Sequence, residues 1–189
     1  MKELQRDIDS ISAYLAKKQK SFDSVTDLTR EIIRGAAQAI TLLHSGDKSA
    51  AKKTIARTYA DVKKAVNFGA EFEYYTRQAC QEYAEARIFY GIVDKGTVPS
   101  QRETCVNQEA YLLGLMDVMG ELKREILEEL RKGGEARAEE YFEKMKQIYD
   151  TTRSVRFAEA VLSGFRRKQD TARIQLENAG SEILSFKKK

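Results

Sequence analysis

The side chains of this chain that could carry out a reaction belong to two pairs of acidic residues. Glu82 and Glu85 lie three residues apart, and Asp117 and Glu121 lie four apart, in stretches that both have helical patterns. These spacings place each pair on one helical face. Asp117 and Glu121 also interrupt an apolar run, where acids are costly unless something compensates them. A divalent cation held between two neighbouring helices would compensate them and would also be a catalyst.

The alternative interpretation is that these acids are ordinary surface charges. Pairs with the same spacing occur elsewhere with nothing to recommend them, such as Glu125 with Glu128 or Glu129. The two chosen pairs differ because their neighbours are apolar or small, and because a short loop joins their helices. We expect those helices to pack antiparallel with the acids facing each other. Like charges at that distance need a cation or a shared proton, and the residues alone leave both interpretations open.

The donor types predict which metal would bind. Carboxylates alone suit Mg²⁺, Mn²⁺ or Ca²⁺, whereas di-iron and zinc sites normally include histidine. The single histidine, His44, lies in no Glu-x-x-His motif. We expect it near the end of the second helix, where an imidazolium complements the C-terminal dipole. A carboxylate site that binds Mg²⁺ or Mn²⁺ is a common means of cleaving phosphodiesters.

Basic side chains could hold a nucleic-acid backbone beside such a site. The candidates lie near the acidic helices or on the second helix: Arg30, Arg34, Arg77, Arg87, Lys123 and Arg124. Each is equally well explained as part of a solvated helix face. The run at 166–168 and the lysines at 187–189 are interpreted as a solvated face and a tail. The net charge of +4 permits an anionic partner without requiring one.

Composition and periodicity predict one all-α domain over residues 1–189, a bundle of about six to seven antiparallel helices. Of 189 residues, 33% are charged and 42% hydrophobic, and there is one proline. The predicted helices are a first stripe over 4–15, a second helix capped by Asp23 or Ser24 and ending near 43, and then 48–66, 70–94, 107–132, 135–149 and 165–184. The two cysteines lack metal-ligand spacing, and no signal peptide or membrane span is recognised, so we expect a cytoplasmic protein.

Several segments resemble the translin family. They are Thr-Arg-Glu-Ile-Ile-Arg at 29–34 leading to Ile-Thr-Leu-Leu-His at 40–44, Gln-Glu-Tyr-Ala-Glu-Ala at 81–86, Ala-Tyr-Leu-Leu-Gly-Leu-Met-Asp-Val-Met-Gly-Glu-Leu at 110–122, and Leu-Glu-Asn-Ala at 176–179. The resemblance covers the chain from about residue 24 onward. It is strongest to the Trax branch, translin-associated factor X, and the segment 110–122 is its most specific part.

The resemblance implies a function. Trax is the catalytic, Mg²⁺-dependent endoribonuclease subunit of the translin–Trax complex, and its acidic residues correspond by position to Glu82, Glu85, Asp117 and Glu121. These would be both catalytic residues and ligands of Mg²⁺ or Mn²⁺. The implied substrate is single-stranded RNA, or DNA, and Tyr83 could stack on bases. The alternative is a non-catalytic single-stranded RNA- or DNA-binding shell, as in translin. A plain helical scaffold is a third possibility.

The resemblance also implies an assembly, because family members form hollow, roughly octameric shells whose sites face inward. The chain departs from eukaryotic Trax by lacking a basic N-terminal extension, by a shorter loop around 95–106, and by Glu109 with Ala110 where the family often has Val-Asp. Its compact length is typical of a prokaryotic homologue without a separate translin partner. We therefore expect a homo-oligomer, an octamer by analogy.

Overall fold

The computed structural model describes residues 1–188, and over that range it contains helices and loops without a strand. Seven α-helices follow one another: α1 (Lys2–His44), α2 (Lys48–Val66), α3 (Glu73–Lys95), α4 (Gln101–Thr104), α5 (Gln108–Arg131), α6 (Glu135–Thr152) and α7 (Phe165–Lys187). A single 3₁₀ turn, Ala70–Phe72, precedes α3. The predicted all-α class and helix number are confirmed. Lys189, in the predicted tail, lies outside the described residues.

The predicted break after the first stripe is wrong, because α1 is one continuous helix of 43 residues. Asp23 and Ser24 cap nothing: Asp23 accepts a hydrogen bond from Gln19 at 2.8 Å, and Ser24 donates to the carbonyl of Lys20 at 3.0 Å. No glycine or proline interrupts residues 2–34, so nothing forces the helix to end there. Capping residue types inside an unbroken helical pattern did not mark a boundary.

The prediction that α3 and α5 pack antiparallel is also wrong. Glu73 at the start of α3 accepts a hydrogen bond from Asn107 at the start of α5, and Gln81 in mid-helix donates to Asp117. Since residue numbers rise together along both helices, the two helices run parallel. The connection over 96–107 is long enough to return along α3, and Pro99 packs against Gly91. The acids of α3 and α5 still face each other, but they do so across parallel helices and not across antiparallel ones.

The helix α5 lies at the centre of the bundle, against α3 on one side and α6 and α7 on the other. Its buried face includes Val118, Met119, Leu122 and Ile126, none of them accessible to solvent. The helices α1 and α2 complete the core against α3. Among the described residues, none of the helices combines the length and apolar character that crossing a membrane would require.

Candidate metal and nucleic-acid site

The acidic pairs meet where α3 and α5 come into backbone contact at Gly114. A Cβ at this position would lie 2.9 Å from the Cβ of Ala84 and 2.9 Å from the backbone nitrogen of Glu85. Only a residue without a side chain permits that approach, so Gly114 sets the distance between the helices. One helical turn further along α5, Asp117 lies beside Gln81 and the first acid pair. Glu85 therefore lies near enough to Glu82, Asp117 and Glu121 for their charges to act on it, and we call the surface formed by these four residues the acidic face.

Glu85 is the most unusual of these acids, because only 8% of its surface is exposed. Burial, followed by the charges of Asp117, Glu82 and Glu121, raises the pKa of its carboxyl from 4.5 to about 8, and Lys168 opposes this rise. Glu82 is half-buried, and its pKa is also raised, first by burial and then by Asp117. A buried carboxyl beside three other acids favours either a proton or a cation at this position.

Asp117 is held by two side chains that the sequence did not suggest. The ammonium of Lys168, in the first turns of α7, forms an ion pair with its Oδ1 atom, and the amide of Gln81 donates to its Oδ2 atom at 2.5 Å. Both Lys168 and Asp117 are about three-quarters shielded from solvent. The ammonium of Lys168 therefore already provides one positive charge on the acidic face.

Glu121 is held by His44, the last residue of α1, and this arrangement extends to Glu125. The imidazole lies between the two carboxylates, with Nε2 at 2.5 Å from Glu121 and Nδ1 in contact with Glu125. Burial lowers the pKa of His44, but the hydrogen bonds with Glu121 and Glu125 outweigh it and raise the pKa to about 9. His44 does end a helix, as predicted, yet its main contacts are with α5. Its ring also packs on Phe89 at 5.1 Å.

The donor set fits a hard cation, although its side chains are engaged elsewhere. Carboxylates provide the oxygen ligands that Mg²⁺ and Mn²⁺ prefer. In residues 1–188, no three His, Cys, Asp or Glu side chains are gathered closely enough to hold a metal ion. Asp117 is turned to Lys168 and Glu121 to His44. Binding a cation to all four acids therefore requires at least the Lys168 ammonium to move.

The predicted nucleic-acid contacts are dispersed over the surface. Four of the six basic candidates are exposed to solvent: Arg30, Arg34, Arg77 and Arg124. Lys123 is half-buried. Arg87 lies on another face of α3, in a cavity with Tyr83 and over the ring of Tyr90 at 6.0 Å. Tyr83 is buried and stacked on Tyr59, so base stacking on it would require the two rings to separate.

Sequence reasoning missed Glu125, Lys168 and the role of His44. Glu125 continues the series Asp117, Glu121 at four-residue spacing, which is a local signal, but the same residue also pairs by spacing with the acids Glu128 and Glu129 that follow it. Lys168 lies 51 residues from Asp117, and no local pattern predicts such a contact. Its membership of three consecutive basic residues at 166–168 was the only hint.

The chain is similar to a curated protein of an archaeon. The chain is 34% identical over 177 residues to the uncharacterized protein MJ0175 of Methanocaldococcus jannaschii, covering 92% of this chain and 79% of that protein. No protein-family model matches the chain.

Solved structures give the fold independently. The chain superposes on AfC3PO with a TM-score of 0.89 and 26% identity, over 96% of this chain and 97% of that one. A complex of AfC3PO with duplex RNA gives a TM-score of 0.87 at 24% identity, over 96% of both chains. Apo-NeC3PO gives 0.87 at 21% identity, over 95% and 96%. The fold of this chain is therefore the C3PO fold, which is the helical fold of the translin family.

Proposed function

This chain belongs to the same family as MJ0175 and has the translin-family fold of C3PO, and from that premise we propose that it is a metal-dependent endoribonuclease. Glu82, Glu85, Asp117 and Glu121 are its proposed catalytic residues and the ligands of Mg²⁺ or Mn²⁺. The proposed reaction is hydrolysis of internal phosphodiester bonds of single-stranded RNA.

One observation carries the proposal: Glu85 is buried among three further carboxylates, and its pKa is raised to about 8. Such a cluster destabilises the fold unless a cation or proton is bound, and strongly perturbed carboxyls are typical of functional sites. A plain scaffold gains nothing from this arrangement. The resemblance of segments 81–86 and 110–122 to Trax supports the same four residues independently of their burial.

The residues of the chain have distinct roles in the proposed site. Glu82 and Glu85 on α3 and Asp117 and Glu121 on α5 would hold the cation between two helices that Gly114 keeps in contact. His44 fixes the carboxylate of Glu121 from outside. Bound there, Mg²⁺ or Mn²⁺ would neutralise phosphate charge and activate a water molecule for in-line attack.

The proposed substrate could be single-stranded RNA or duplex RNA, and the two are supported by different observations. The resemblance to Trax favours single-stranded RNA, whereas the AfC3PO structure that shares this fold was solved with duplex RNA. Single-stranded DNA is a further ligand to compare. We propose cleavage of single-stranded RNA, with duplex binding as the competing outcome.

The test is cleavage of end-labelled single-stranded and duplex RNA of one sequence, with Mg²⁺ or with EDTA. Internal cuts in the single strand that require Mg²⁺ are the expected result. RNA retained intact under both conditions would instead support the non-catalytic binding shell. Cleavage that persists in EDTA would contradict a metal-dependent site.

We also propose that the chain assembles with copies of itself through the first half of α1, forming an octamer by analogy with the translin family. Residues 1–20 are all exposed, and Leu4, Ile8, Ile11 and Leu15 form an apolar stripe along one side, each about half exposed. This segment extends for roughly 30 Å. Since an exposed stripe of this kind marks an interaction surface, we call it the α1 stripe.

Charge along the segment favours antiparallel pairing of two copies. The first half of the segment contains its three acids (Glu3, Asp7, Asp9) together with Lys2 and Arg6 and is slightly negative, whereas the second half contains Lys17, Lys18 and Lys20 and no acid. Antiparallel pairing places each acidic end against a basic end, whereas parallel pairing places like charges together. The expected partner of the α1 stripe is therefore the α1 stripe of a second copy.

Substituting both Ile8 and Ile11 by aspartate should weaken this assembly, because two charges would enter an apolar contact. We expect sedimentation velocity to shift toward smaller species, down to the 21.5 kDa monomer if no other contact sustains the assembly. Ala13→Asp, on the opposite side of the same helix, is the matched control and should sediment as wild type. A double variant that sediments as wild type would show that other surfaces hold the copies together.

A further inference from the structure

A cavity of about 240 Å³ opens directly beside Asp117, between α5 and α7. The residues that line it have polar or flexible side chains and lie on neighbouring turns of the two helices: Met116, Asp117, Arg167, Lys168, Thr171 and Gln175. We call this cavity the α7 pocket. It shares Asp117 and Lys168 with the acidic face, but none of the basic residues predicted to contact RNA lines it.

Hydrogen-bond donors dominate the α7 pocket. Arg167 and Lys168 bring two positive charges, Gln175 brings an amide and Thr171 a hydroxyl, against the single carboxylate of Asp117. The amide nitrogen of Gln175 lies over Gly120, where a Cβ would come within 3.1 Å of it. Gly120 therefore lets Gln175 lie close to α5, one turn from Asp117. Two cations, an amide and a hydroxyl are typical of a phosphate site.

The position of the basic residues in α7 supports an anionic ligand. Residues 166–168 are all basic, and the first turn of α7 contains no acid. Cations are unfavourable at a helix N-terminus, and adjacent ones repel each other. Asp117 compensates Lys168, while Arg166 lies in a different cavity with Phe157 and Leu162. A local arrangement that opposes stability in this way is expected where function requires it.

We propose that the α7 pocket binds one backbone phosphate of RNA next to the acidic face. The inference rests on the proposed nuclease function and extends it, by naming where the phosphodiester lies. Without RNA, the Lys168 ammonium forms an ion pair with the carboxylate of Asp117. When a phosphate enters the pocket, the ammonium turns to the phosphate together with the guanidinium of Arg167, and Asp117 becomes free to hold the cation. Lys168 thus couples substrate binding to completion of the carboxylate set.

The test measures RNA binding in EDTA, where no metal-dependent cleavage occurs, with fluorescently labelled single-stranded RNA at several salt concentrations. Lys168→Met and Arg167→Met should each raise the Kd roughly tenfold. Each should also reduce the slope of log K against log salt by about 0.7, the contribution of one phosphate contact on a single strand. Arg166→Met removes the same charge from the same turn but not from the pocket, and should bind as wild type.

A second readout separates this role from a structural one. Because Lys168 competes for Asp117, Lys168→Met should bind Mn²⁺ more tightly than wild type when RNA is absent, as measured by calorimetry. Lys168→Arg should restore RNA binding, and melting temperatures will show whether each variant is folded. Wild-type Kd and salt slope in both Lys168→Met and Arg167→Met would overturn the proposal, even if the protein cleaves RNA.

Inorganic phosphate distinguishes a free anion from the RNA backbone. A rise in melting temperature with phosphate that Lys168→Met removes, with RNA binding unchanged, would assign the α7 pocket to a small anion and overturn the RNA contact. Weakened RNA binding in both pocket variants of a protein that never cleaves would retain the pocket and reject the nuclease. The two proposals therefore fail separately.

Discussion

Glu85→Gln should abolish metal-dependent RNA cleavage and, at the same time, stabilise the metal-free protein near pH 8. Residues that merely support a metal ligand already cost 10- to 100-fold when changed, so a direct ligand should cost at least about 100-fold. The stability gain follows because the amide removes a buried carboxyl that must otherwise ionise. A change that improves the fold while removing activity identifies a residue retained for function.

The pH dependence of this gain has a definite sign. The pKa of Glu85 is raised from 4.5 to about 8 by burial and then by Asp117, Glu82 and Glu121. Between those values the folded protein binds more protons than the unfolded chain, so its stability falls as the pH rises. We expect thermal melting in EDTA to show that fall in wild type and a smaller one in Glu85→Gln. The free-energy difference near pH 8 should be of order 3 kcal/mol.

The control for this experiment is Glu182→Gln, which changes an exposed glutamate of α7 in the same way. It should cleave RNA and melt as wild type. Adding Mn²⁺ at pH 8 should raise the melting temperature of wild type much more than that of Glu85→Gln, since a ligand stabilises the state that binds it. A Glu85→Gln protein that cleaves RNA normally, or that is less stable than wild type at pH 8, would contradict this role.

His44→Ala should destabilise the protein by about 3–5 kcal/mol, the usual cost of removing one partner of a buried ion pair. The His44 side chain is 8% exposed and that of Glu125 is 10% exposed, so water cannot replace the lost contact well. Glu125 would remain buried without its imidazole. Urea unfolding measures the loss, and the double variant His44→Leu with Glu125→Leu should recover part of it.

The effect of His44 should also depend on pH. Burial lowers its pKa, but the hydrogen bonds that the ring donates to Glu121 and Glu125 outweigh burial and raise the pKa to about 9. The stabilisation is therefore complete below 6.5, the ordinary value, and is lost as the pH rises through about 9. The difference between wild type and His44→Ala should shrink between pH 6 and pH 10. An equal difference at both values would mean that the ring acts only by packing on Phe89.

The sequence predicted the acidic site more completely than it predicted the packing of the helices around that site. Spacings of three and four place Glu82 with Glu85 and Asp117 with Glu121, because position on a helical face is a local property. Whether two helices run parallel or antiparallel depends on the path of the connection between them. The return of residues 96–107 along α3, held by Pro99 against Gly91, had no decisive local signal.

Long-range partners were hidden for the same reason. Lys168 and His44 reach the acidic face from α7 and α1, and each contact depends on the packing of several helices. The prediction for α1 failed in the opposite way, because a local signal predicted a boundary that the structure does not have. Capping residue types at 23 and 24 suggested a boundary, although nothing nearby could end the helix.

The measurement that tests the central claim most directly is single-turnover cleavage of labelled single-stranded RNA by wild type and by Asp117→Ala, purified identically, with Mg²⁺ and with EDTA. Asp150→Ala, which changes an exposed aspartate of α6, is the control. We predict Mg²⁺-dependent cleavage by wild type and by Asp150→Ala, and none by Asp117→Ala. Equal cleavage by Asp117→Ala and wild type would contradict the assignment of the four carboxylates as the catalytic site.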